Sequence, residues 1–259
     1  MENQTPSVAA LIEELSGATG TVLVVGAPDS GKTTLIGQIA TRAIERGRVV
    51  AIVDADVGQS EIGPPAAIGM SLFREVPPTF RVRRPQALAF VGSIQPFGFF
   101  LEMAAGTAAM VDAARREGAG LILVDTTGFA PNLGGIRLKE EKLLRLRPEH
   151  VVLIERHREL HPIAQLAEGC RFCTLHRVPV PHGAHIKPTA FRRGHRKARF
   201  ADYFAGARTH SLPLRGVGVH GCTLLTGRTL SPEARVKAAG YLQTPILRAE
   251  LTPGRLNVV

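Results

Sequence analysis

One octapeptide restricts the fold of this chain more than any other feature. Residues 26–33 are GAPDSGKT, which has the form G-x-x-x-x-G-K-T. The apolar, β-branched run 21–25 before it is typical of a strand buried on both faces, and 33–46 has a helical pattern that ends at Gly47. A strand, this loop and a helix in that order predict a P-loop in an α/β fold that binds ATP or GTP.

The loop also predicts individual phosphate contacts. Its backbone N–H groups are expected to surround the β-phosphate, and the helix N-terminus adds a favourable dipole. Lys32 is expected to reach the β- and γ-phosphates, and Thr33 to coordinate Mg²⁺. The predicted nucleotide-binding residues are Gly26, Ala27, Pro28, Asp29, Ser30, Gly31, Lys32, Thr33 and Thr34.

Strands and helices alternate along the chain to about residue 180. Further strands are predicted at 48–53, 87–91, 121–124, 151–154 and 171–180, and helices at 7–16, 99–117, 135–146 and 157–168. The alternation predicts a P-loop NTPase fold with a doubly wound, mostly parallel sheet. We expect a domain at 1–205, including an Arg-rich helical lid at about 186–205. Residues 206–259 are expected to form a small β-rich appendage, with strand-like pieces at 216–220 and 246–251.

Two of the predicted strands end in carboxylates that the topology places beside the loop. Asp54 and Asp56 close one strand, and Asp125 closes another. Phosphoryl transfer requires a carboxylate near Mg²⁺ and a group that orients or deprotonates the attacking hydroxyl. All three are candidates, and we predict Thr33, Asp56 and Asp54 as the metal-binding residues. A helix cap or turn is the alternative role for each carboxylate.

A basic segment, FRRGHRKAR at 191–199, follows the predicted core. On a helix, Arg192 and Arg196 share one face, joined by Arg199. Such a face can close as a lid over a transferring phosphate and neutralise its charge, although a solvated basic helix is the alternative. The whole chain has 32 Lys and Arg against 22 Asp and Glu, a net charge of +10 that favours a polyanionic partner such as nucleic acid.

Four segments, taken together and in order, carry a family resemblance. They are GAPDSGKTT (26–34), VDADVGQSEIGPP (53–65), DTTGF with LRPEHVV (125–129 and 146–152) and FRRGHRKARFADYF (191–204). They resemble the polynucleotide 5′-hydroxyl kinases of the cleavage-and-polyadenylation-factor type, which include the rRNA-processing kinases. The second segment is specific, because generic P-loop ATPases do not carry it. Gly92 and Pro96 also fall where this family has a G-x-x-x-P turn.

The resemblance implies transfer of the γ-phosphate of ATP, with Mg²⁺, to a 5′-hydroxyl end of RNA or DNA. It implies Lys32, Asp56, Arg192 and Arg196 as catalytic residues, and Gln59, Thr127 and Phe129 as residues that bind the acceptor. Asp56 would activate the hydroxyl, and Arg193 replaces Arg192 if the lid is shifted by one residue. The family commonly has Asn where Asp125 stands, and Trp where Phe129 stands, an aromatic that stacks on the terminal base.

Two other functions remain open at this level. D-x-x-G at 125–128 and C-x-x-C at Cys170 and Cys173 suggest a regulatory or metal-delivery GTPase or ATPase that acts on a protein partner, although the chain has no guanine-reading N-K-x-D. Two cysteines do not close a tetrahedral zinc site, so their predicted role is structural. The other candidate is a nucleotide-gated RNA-binding module without turnover.

The N-terminus and the hydropathy of the chain indicate where it works. The first twenty residues lack a basic segment followed by an apolar one, and no apolar run approaches the roughly 20 residues that span a bilayer. These features predict a soluble, cytoplasmic protein with no membrane partner.

Overall fold

The strand that leads into the glycine loop lies inside a mostly parallel sheet. The computed structural model describes residues 7–130, 132–181, 183–209 and 227–258. The chain divides into two compact units, Met1–Gly206 and Ala207–Val259. The first contains α1 (Val8–Gly17), β1 (Gly20–Gly26), α2 (Lys32–Glu45), β2 (Val50–Ala55), β3 (Ala67–Phe73), β4 (Ala87–Phe90), α3 (Phe100–Arg116), β5 (Leu121–Thr126), α4 (Leu133–Leu146), β6 (His150–Glu155), α5 (His161–Glu168), β7 (Thr174–Pro179) and α6 (Thr189–Tyr203).

The sheet has β1 near its centre and an antiparallel extension at one edge. Within the described part of the first unit, its strand order is β4-β3-β2-β5-β1-β6-β7. The strands β2, β5, β1, β6 and β7 run parallel, whereas β3 pairs antiparallel with both β2 and β4. All six residues of β2 and of β5 are buried, which explains why the first four residues of each strand are continuously apolar rather than alternating.

Helices cover both faces of the sheet. Side chains of β1 alternate between two cores: Val22 and Val24 pack with α1 and α2, and Leu23 and Val25 pack with α3, α4 and α5. Each fully buried side chain of this size contributes about 1.5–3 kcal/mol to folding. The prediction of a doubly wound, mostly parallel α/β sheet is therefore confirmed.

Strand β3 was not predicted from the sequence. Its residues AIGMSLF are buried at six of seven positions, yet a glycine and a serine interrupt the apolar pattern. A Cβ at Gly69 would lie 2.2 Å from the carbonyl oxygen of Ile62, so the strand needs glycine where the loop before it crosses close by. The same glycine that fits the fold therefore weakens the sequence signal for a strand.

The second unit combines a helix with a small sheet. It contains β8 (Arg228–Thr229), α7 (Pro232–Leu242), β9 (Ala249–Thr252) and β10 (Arg255–Val258), and its described strands are antiparallel in the order β10-β9-β8. The predicted piece at 246–251 overlaps β9, while the piece at 216–220 lies outside the described residues. The helix α7 was not predicted, although Ser231 caps it by accepting a hydrogen bond from Ala234 N at 3.2 Å and Pro232 begins it.

Over the described ranges, every helix is too short or too polar to cross a membrane.

Candidate functional site

The loop between β1 and α2 has the geometry of a phosphate-binding loop. Gly31, at the helix N-terminus, has a φ of +96°, a left-handed conformation that favours glycine. Lys32 is only 6% exposed, and its Nζ donates hydrogen bonds to the carbonyl oxygens of Gly26 at 3.1 Å and Ala27 at 2.8 Å. The loop carbonyls therefore hold the ammonium group inside the loop, where an incoming phosphate can replace them.

A cavity of about 630 Å³ opens beside this loop, at the carboxyl ends of the central strands. Its volume lies in the range of small-molecule sites, about 300–1,000 Å³. The predicted site residues that line it are Pro28, Asp29, Gly31, Lys32, Thr33, Thr34, Asp56, Gln59, Thr127, Phe129, Arg192 and Arg196. The structure therefore brings phosphate-loop, carboxylate, acceptor and lid candidates into one cavity. Gly26, Ala27, Ser30 and Asp54 are not among the residues that line it.

The lid helix α6 contacts the phosphate loop through a charged pair. Arg192 Nη2 donates to Asp29 Oδ2 at 2.5 Å, and Lys187 N donates to the same oxygen at 2.9 Å. Burial alone would raise the pKa of Asp29, but the hydrogen bonds from Lys187 and Arg192 bring it below its usual value. Arg192 and Arg196 line the cavity, whereas Arg193 is exposed and does not.

Arg199 does not join the phosphate-facing pair that we expected. It is 5% exposed, and its Nη2 donates to the carbonyl oxygens of Glu61 at 2.8 Å, Gly63 at 3.1 Å and Val82 at 3.1 Å. The residue shares a helix face with Arg192 but lies about 10 Å further along the axis. There the face meets loop carbonyls rather than the cavity, so Arg199 anchors the lid helix to the core.

The three acidic residues at the strand ends have different partners. Asp54 accepts hydrogen bonds at both oxygens: Oδ1 from Asp56 N at 3.0 Å, and Oδ2 from Glu61 N at 2.6 Å and Ile62 N at 3.0 Å. Asp54 is buried and holds the loop that follows β2 by its backbone. Its carboxylate is thus already used by the fold.

Unlike Asp54, Asp56 faces the cavity and Asp125 contacts the phosphate loop. Asp56 lines the cavity, and its Oδ1 accepts from Gly58 N at 3.1 Å and Gln59 N at 3.2 Å, which fixes the carboxylate. Thr33 Oγ1 donates to Asp125 Oδ2 at 2.5 Å. The other oxygen of Asp125 is buried and has no hydrogen-bond partner among the residues that the structure describes.

Buried carboxylates on neighbouring strands repel one another here. Asp54 and Asp125 are register partners on β2 and β5. Burial, together with repulsion from Asp125, raises the pKa of Asp54 to about 8. Burial also raises the pKa of Asp125 to about 6, against the attraction of Lys32 and the hydrogen bond from Thr33. A cation bound at this point would relieve the repulsion.

Two of the acceptor candidates also line the cavity. Thr127 and Phe129 belong to the loop after β5, and Phe129 N donates to Thr127 Oγ1 at 3.4 Å. A Cβ at Gly128 would lie 2.5 Å from Pro28 N, so this glycine allows the loop to pack on the phosphate loop. Close packing is a sufficient reason for the glycine of D-x-x-G without a GTPase switch.

The profile of the family described as mRNA cleavage and polyadenylation factor CLP1 P-loop matches residues 26–206. This chain belongs to that family. The match covers the phosphate loop, the acidic strand ends, the acceptor loop and the lid helix together, which confirms the resemblance drawn from the four sequence segments.

Individual relatives of the chain point to the same family, which is called the CLP1 P-loop family below. A polyribonucleotide 5′-hydroxyl-kinase of Pyrococcus furiosus is 36% identical over 214 residues, which are 83% of this chain and 59% of that protein. The polyribonucleotide 5′-hydroxyl-kinase of Methanocaldococcus jannaschii is 29% identical over 238 residues, 92% of this chain and 65% of that protein. The chain therefore spans less than two thirds of the length of these relatives.

A solved structure shares the fold. The wild-type Clp1p–Pcf11p (454–563) complex contains a chain with a TM-score of 0.59 and 13% identity, and the match covers 80% of this chain and 55% of that one. At this identity the likeness concerns the fold.

Two lysines that this CLP1 P-loop domain buries near the site were not predicted from the sequence. Lys139 and Lys142 of α4 are 0% exposed. Lys139 Nζ donates to the carbonyl oxygen of Thr127 at 2.8 Å, and burial, with repulsion from Lys142 and Lys32, holds the pKa of Lys139 well below its usual value. Burial also lowers the pKa of Lys142 to about 8, against the attraction of Asp56 and Asp125. A signal was present, because both lysines fall on the buried stripe of α4 with Leu138, Leu143 and Leu146.

The C-x-x-C pair is not part of a metal centre within the described residues. Cys173 Sγ contacts the carbonyl oxygen of Ala167 at 3.3 Å, and both cysteines are partly buried. No group of three or more His, Cys, Asp or Glu side chains that could hold a metal occurs in the described parts of the chain. His182 and Cys222 lie outside those parts. The predicted structural role of Cys170 and Cys173 agrees with this geometry.

Proposed function

We propose that this chain is an ATP-dependent polynucleotide 5′-hydroxyl kinase, which transfers the γ-phosphate of ATP to the 5′-hydroxyl end of RNA or DNA. One observation carries the proposal: a single cavity is lined by Lys32 of the phosphate loop, the carboxylate of Asp56, and Arg192 and Arg196 of the lid. Phosphoryl transfer depends on positioning and on balancing charge, and these side chains supply both. The polyribonucleotide 5′-hydroxyl-kinases among the relatives support the same reaction.

Asp56 is the proposed general base. Two backbone N–H groups hold its Oδ1, so the carboxylate keeps one orientation beside the cavity. In the proposed step the 5′-oxygen bonds to the γ-phosphorus, the bond from that phosphorus to the β,γ-bridging oxygen breaks, and ADP leaves. The hydroxyl proton passes to Asp56. Gln59, Thr127 and Phe129 are proposed to hold the acceptor end during this step.

Three cationic side chains are proposed to balance the charge on the transferring group. Lys32 exchanges the carbonyls of Gly26 and Ala27 for β- and γ-phosphate oxygens. Arg192 exchanges the carboxylate of Asp29 for the γ-phosphate, and Arg196 lies one helical turn further along the same face. Planar guanidinium groups suit this role because they bind phosphate oxygens in pairs.

The residues beside the loop fit a magnesium ion. Thr33 and Asp125 offer hard oxygen ligands, and the buried Oδ1 of Asp125, which no described residue hydrogen-bonds, is the kind of atom that a metal or its water satisfies. We propose that Thr33 and Asp125 hold Mg²⁺, with Asp56 near it, and that Asp54 supports the loop instead. When bound, the ion would neutralise phosphate charge and orient the β- and γ-phosphates.

The GTPase or protein-directed ATPase is not favoured by any observation on the described residues. Gly128 has a packing role, and within the described ranges the two cysteines belong to no group of three or more His, Cys, Asp or Glu that could hold a metal. A cytoplasmic location and the absence of a membrane partner stay predictions.

The decisive experiment measures transfer of labelled γ-phosphate from ATP, with Mg²⁺, to short 5′-hydroxyl RNA and DNA. Label should appear on the oligonucleotide, and a 5′-phosphorylated oligonucleotide should accept none. Lys32→Ala should abolish the label, whereas Lys197→Ala, at an exposed lid position, should retain it. Release of inorganic phosphate with no labelled oligonucleotide would reject the kinase and favour the hydrolase.

A further inference from the structure

Three phenylalanine rings lie in a row that starts in the cavity. Phe129 lines the cavity, its ring centroid lies 6.1 Å from that of Phe100, and the centroid of Phe100 lies 6.4 Å from that of Phe97. Phe97 is 78% exposed, so the row ends in solvent. We propose that this aromatic track, Phe129–Phe100–Phe97, binds successive bases of the acceptor strand. The inference rests on the proposed function and extends it beyond the terminal base.

The aromatic track packs against Gly134, a glycine near the start of α4. A Cβ at Gly134 would lie 3.0 Å from Phe100 Cζ and 3.2 Å from Phe129 Cε1. The start of α4 therefore packs against both rings, Phe100 also packs against the core, and both rings remain partly exposed. The interplanar angles of 39° and 85° along the row show that the rings do not stack on each other. Successive bases would therefore contact the rings separately rather than enter a continuous stack of phenylalanines.

The loop that carries Phe97 also contacts the turn that holds the proposed base. A Cβ at Gly58 would lie 3.1 Å from the carbonyl oxygen of Ile94 and 3.5 Å from Asp56 Oδ1. The outer end of the track is thus attached to the wall of the acceptor cavity. In the proposed binding mode the terminal base lies at Phe129, in the cavity that Asp56 also lines, and the following bases extend toward Phe97.

The chemistry of the row favours a single strand of nucleic acid over an apolar partner. Only 5% of the residues are aromatic and none is tryptophan, so three neighbouring rings that start in the cavity at Phe129 are a local concentration. Stacking of a base on an aromatic side chain is worth about 1–3 kcal/mol and is tolerant of sequence. Ring separations of 6.1 and 6.4 Å exceed the spacing of about 3.4 Å per nucleotide in a duplex strand, so the track fits spread bases.

The consequence is a dependence of affinity on acceptor length. A single-nucleotide acceptor can use Phe129 alone, whereas a strand of three or more nucleotides can also reach Phe97. Truncation of Phe97 should therefore weaken binding of the longer acceptor and leave binding of the shorter one unchanged.

The test uses the full chain and two readouts. Steady-state phosphorylation is measured with a 5′-hydroxyl nucleoside 3′-phosphate and with a 5′-hydroxyl hexanucleotide, and binding of the 3′-fluorescein-labelled hexanucleotide is measured by anisotropy. Phe97→Ala should raise KM and Kd for the hexanucleotide about 5- to 100-fold with little change in kcat. KM for the single nucleotide should stay the same. Phe97→Trp should restore tight binding.

A matched control separates the track from general exposure of apolar surface. Phe90 is 81% exposed but has no ring partner in the row, so Phe90→Ala should leave both acceptors unchanged. The slope of affinity against salt should not change in Phe97→Ala, because stacking neutralises no phosphate. A change in that slope, or an equal loss for both acceptors, would overturn the track.

The outcomes also separate this inference from the kinase itself. If the native chain phosphorylates oligonucleotides and Phe97→Ala changes neither KM nor Kd, the track is wrong and the kinase stands. If the native chain phosphorylates nothing but Phe97→Ala still weakens hexanucleotide binding, the kinase is wrong and the track stands.

Discussion

Arg192 of the lid and Asp29 of the phosphate loop form an ion pair with an Nη2–Oδ2 distance of 2.5 Å. Both side chains are partly buried, at 27% and 13% exposure, so the pair is less screened than a surface pair. The Asp29 carboxylate thus pairs with the Arg192 guanidinium, which we propose binds the γ-phosphate of ATP. In this arrangement the lid already rests on the loop, and nucleotide binding would replace one anion by another.

The ion pair predicts which lid arginine matters. Arg192→Gln should lower kcat for phosphate transfer by about 10²-fold or more, because a guanidinium on the transferring phosphate is commonly worth 10³ or more. Arg193→Gln is the matched control: this neighbour is exposed and does not line the cavity, so its kcat should change by less than about threefold. A loss of kcat in Arg193→Gln with none in Arg192→Gln would mean that the lid helix is shifted by one residue, with Arg193 in the place of Arg192.

Asp29→Asn tests the closed lid directly. The variant removes the anionic partner of Arg192, so the lid of the nucleotide-free protein should be cleaved faster by trypsin at its many arginines. With ATP bound, cleavage of the variant should match that of the native chain, since the γ-phosphate then holds the lid. Native-like protection without ATP would show that the pair does not hold the lid closed.

Two aspartates two residues apart should separate stability from catalysis. Asp54 accepts backbone N–H groups at both oxygens, so Asp54→Asn must turn an NH₂ group toward at least one of those donors. We expect it to lower the free energy of unfolding by about 1–3 kcal/mol in urea denaturation.

Asp56→Asn should show the opposite result. Its Oδ1 contacts with Gly58 N and Gln59 N survive in asparagine, so stability should change by less than about 0.5 kcal/mol. Phosphate transfer should be abolished while nucleotide binding remains. Full activity in Asp56→Asn would remove this residue from the proton transfer.

This pair of residues also shows how far the sequence could lead. The motif placed Asp54 and Asp56 at the same strand end, and the fold confirmed that placement. Their different partners depend on how the chain turns back over residues 58–62, which no local pattern encodes. Lys139 and Lys142 show the same limit from the other direction. Helical spacing puts them on a buried stripe, but lysine is so rarely buried that the sequence alone gives no reason to place them there.

Gly128 gives a prediction about the loop after β5. Gly128→Ala would place a methyl group 2.5 Å from Pro28 N, so the phosphate loop or the acceptor loop must shift. KM for ATP should rise about tenfold or more, because a shift of the loop misplaces several phosphate contacts at once. Gly194→Ala is the control, since a Cβ added at this position has no contact within 4 Å and alanine favours the helix. Native ATP kinetics in Gly128→Ala would show that the loops absorb the methyl group.

The last prediction concerns acid stability and a histidine pair far from the cavity. His150 Nδ1 and His176 Nε2 lie 3.1 Å apart, where β6 and β7 begin. Burial lowers the pKa of both imidazoles from 6.5, more than the nearby Glu14 raises it. Below pH 6.5 the unfolded chain therefore binds protons that the folded chain excludes, so stability falls as the pH falls toward the lowered values.

Each proton that the unfolded chain binds and the folded chain does not adds at most about 1.4 kcal/mol per pH unit to the slope of the free energy of unfolding against pH. His176→Gln should flatten the dependence of the free energy of unfolding on pH between about 6.5 and 5, measured by urea denaturation at each pH. The neutral amide can keep a hydrogen bond to His150 but has no proton to gain. His157→Gln, at an exposed position, should keep the native profile. If the two variants gave the same pH profile, the acid sensitivity would have to arise elsewhere in the fold.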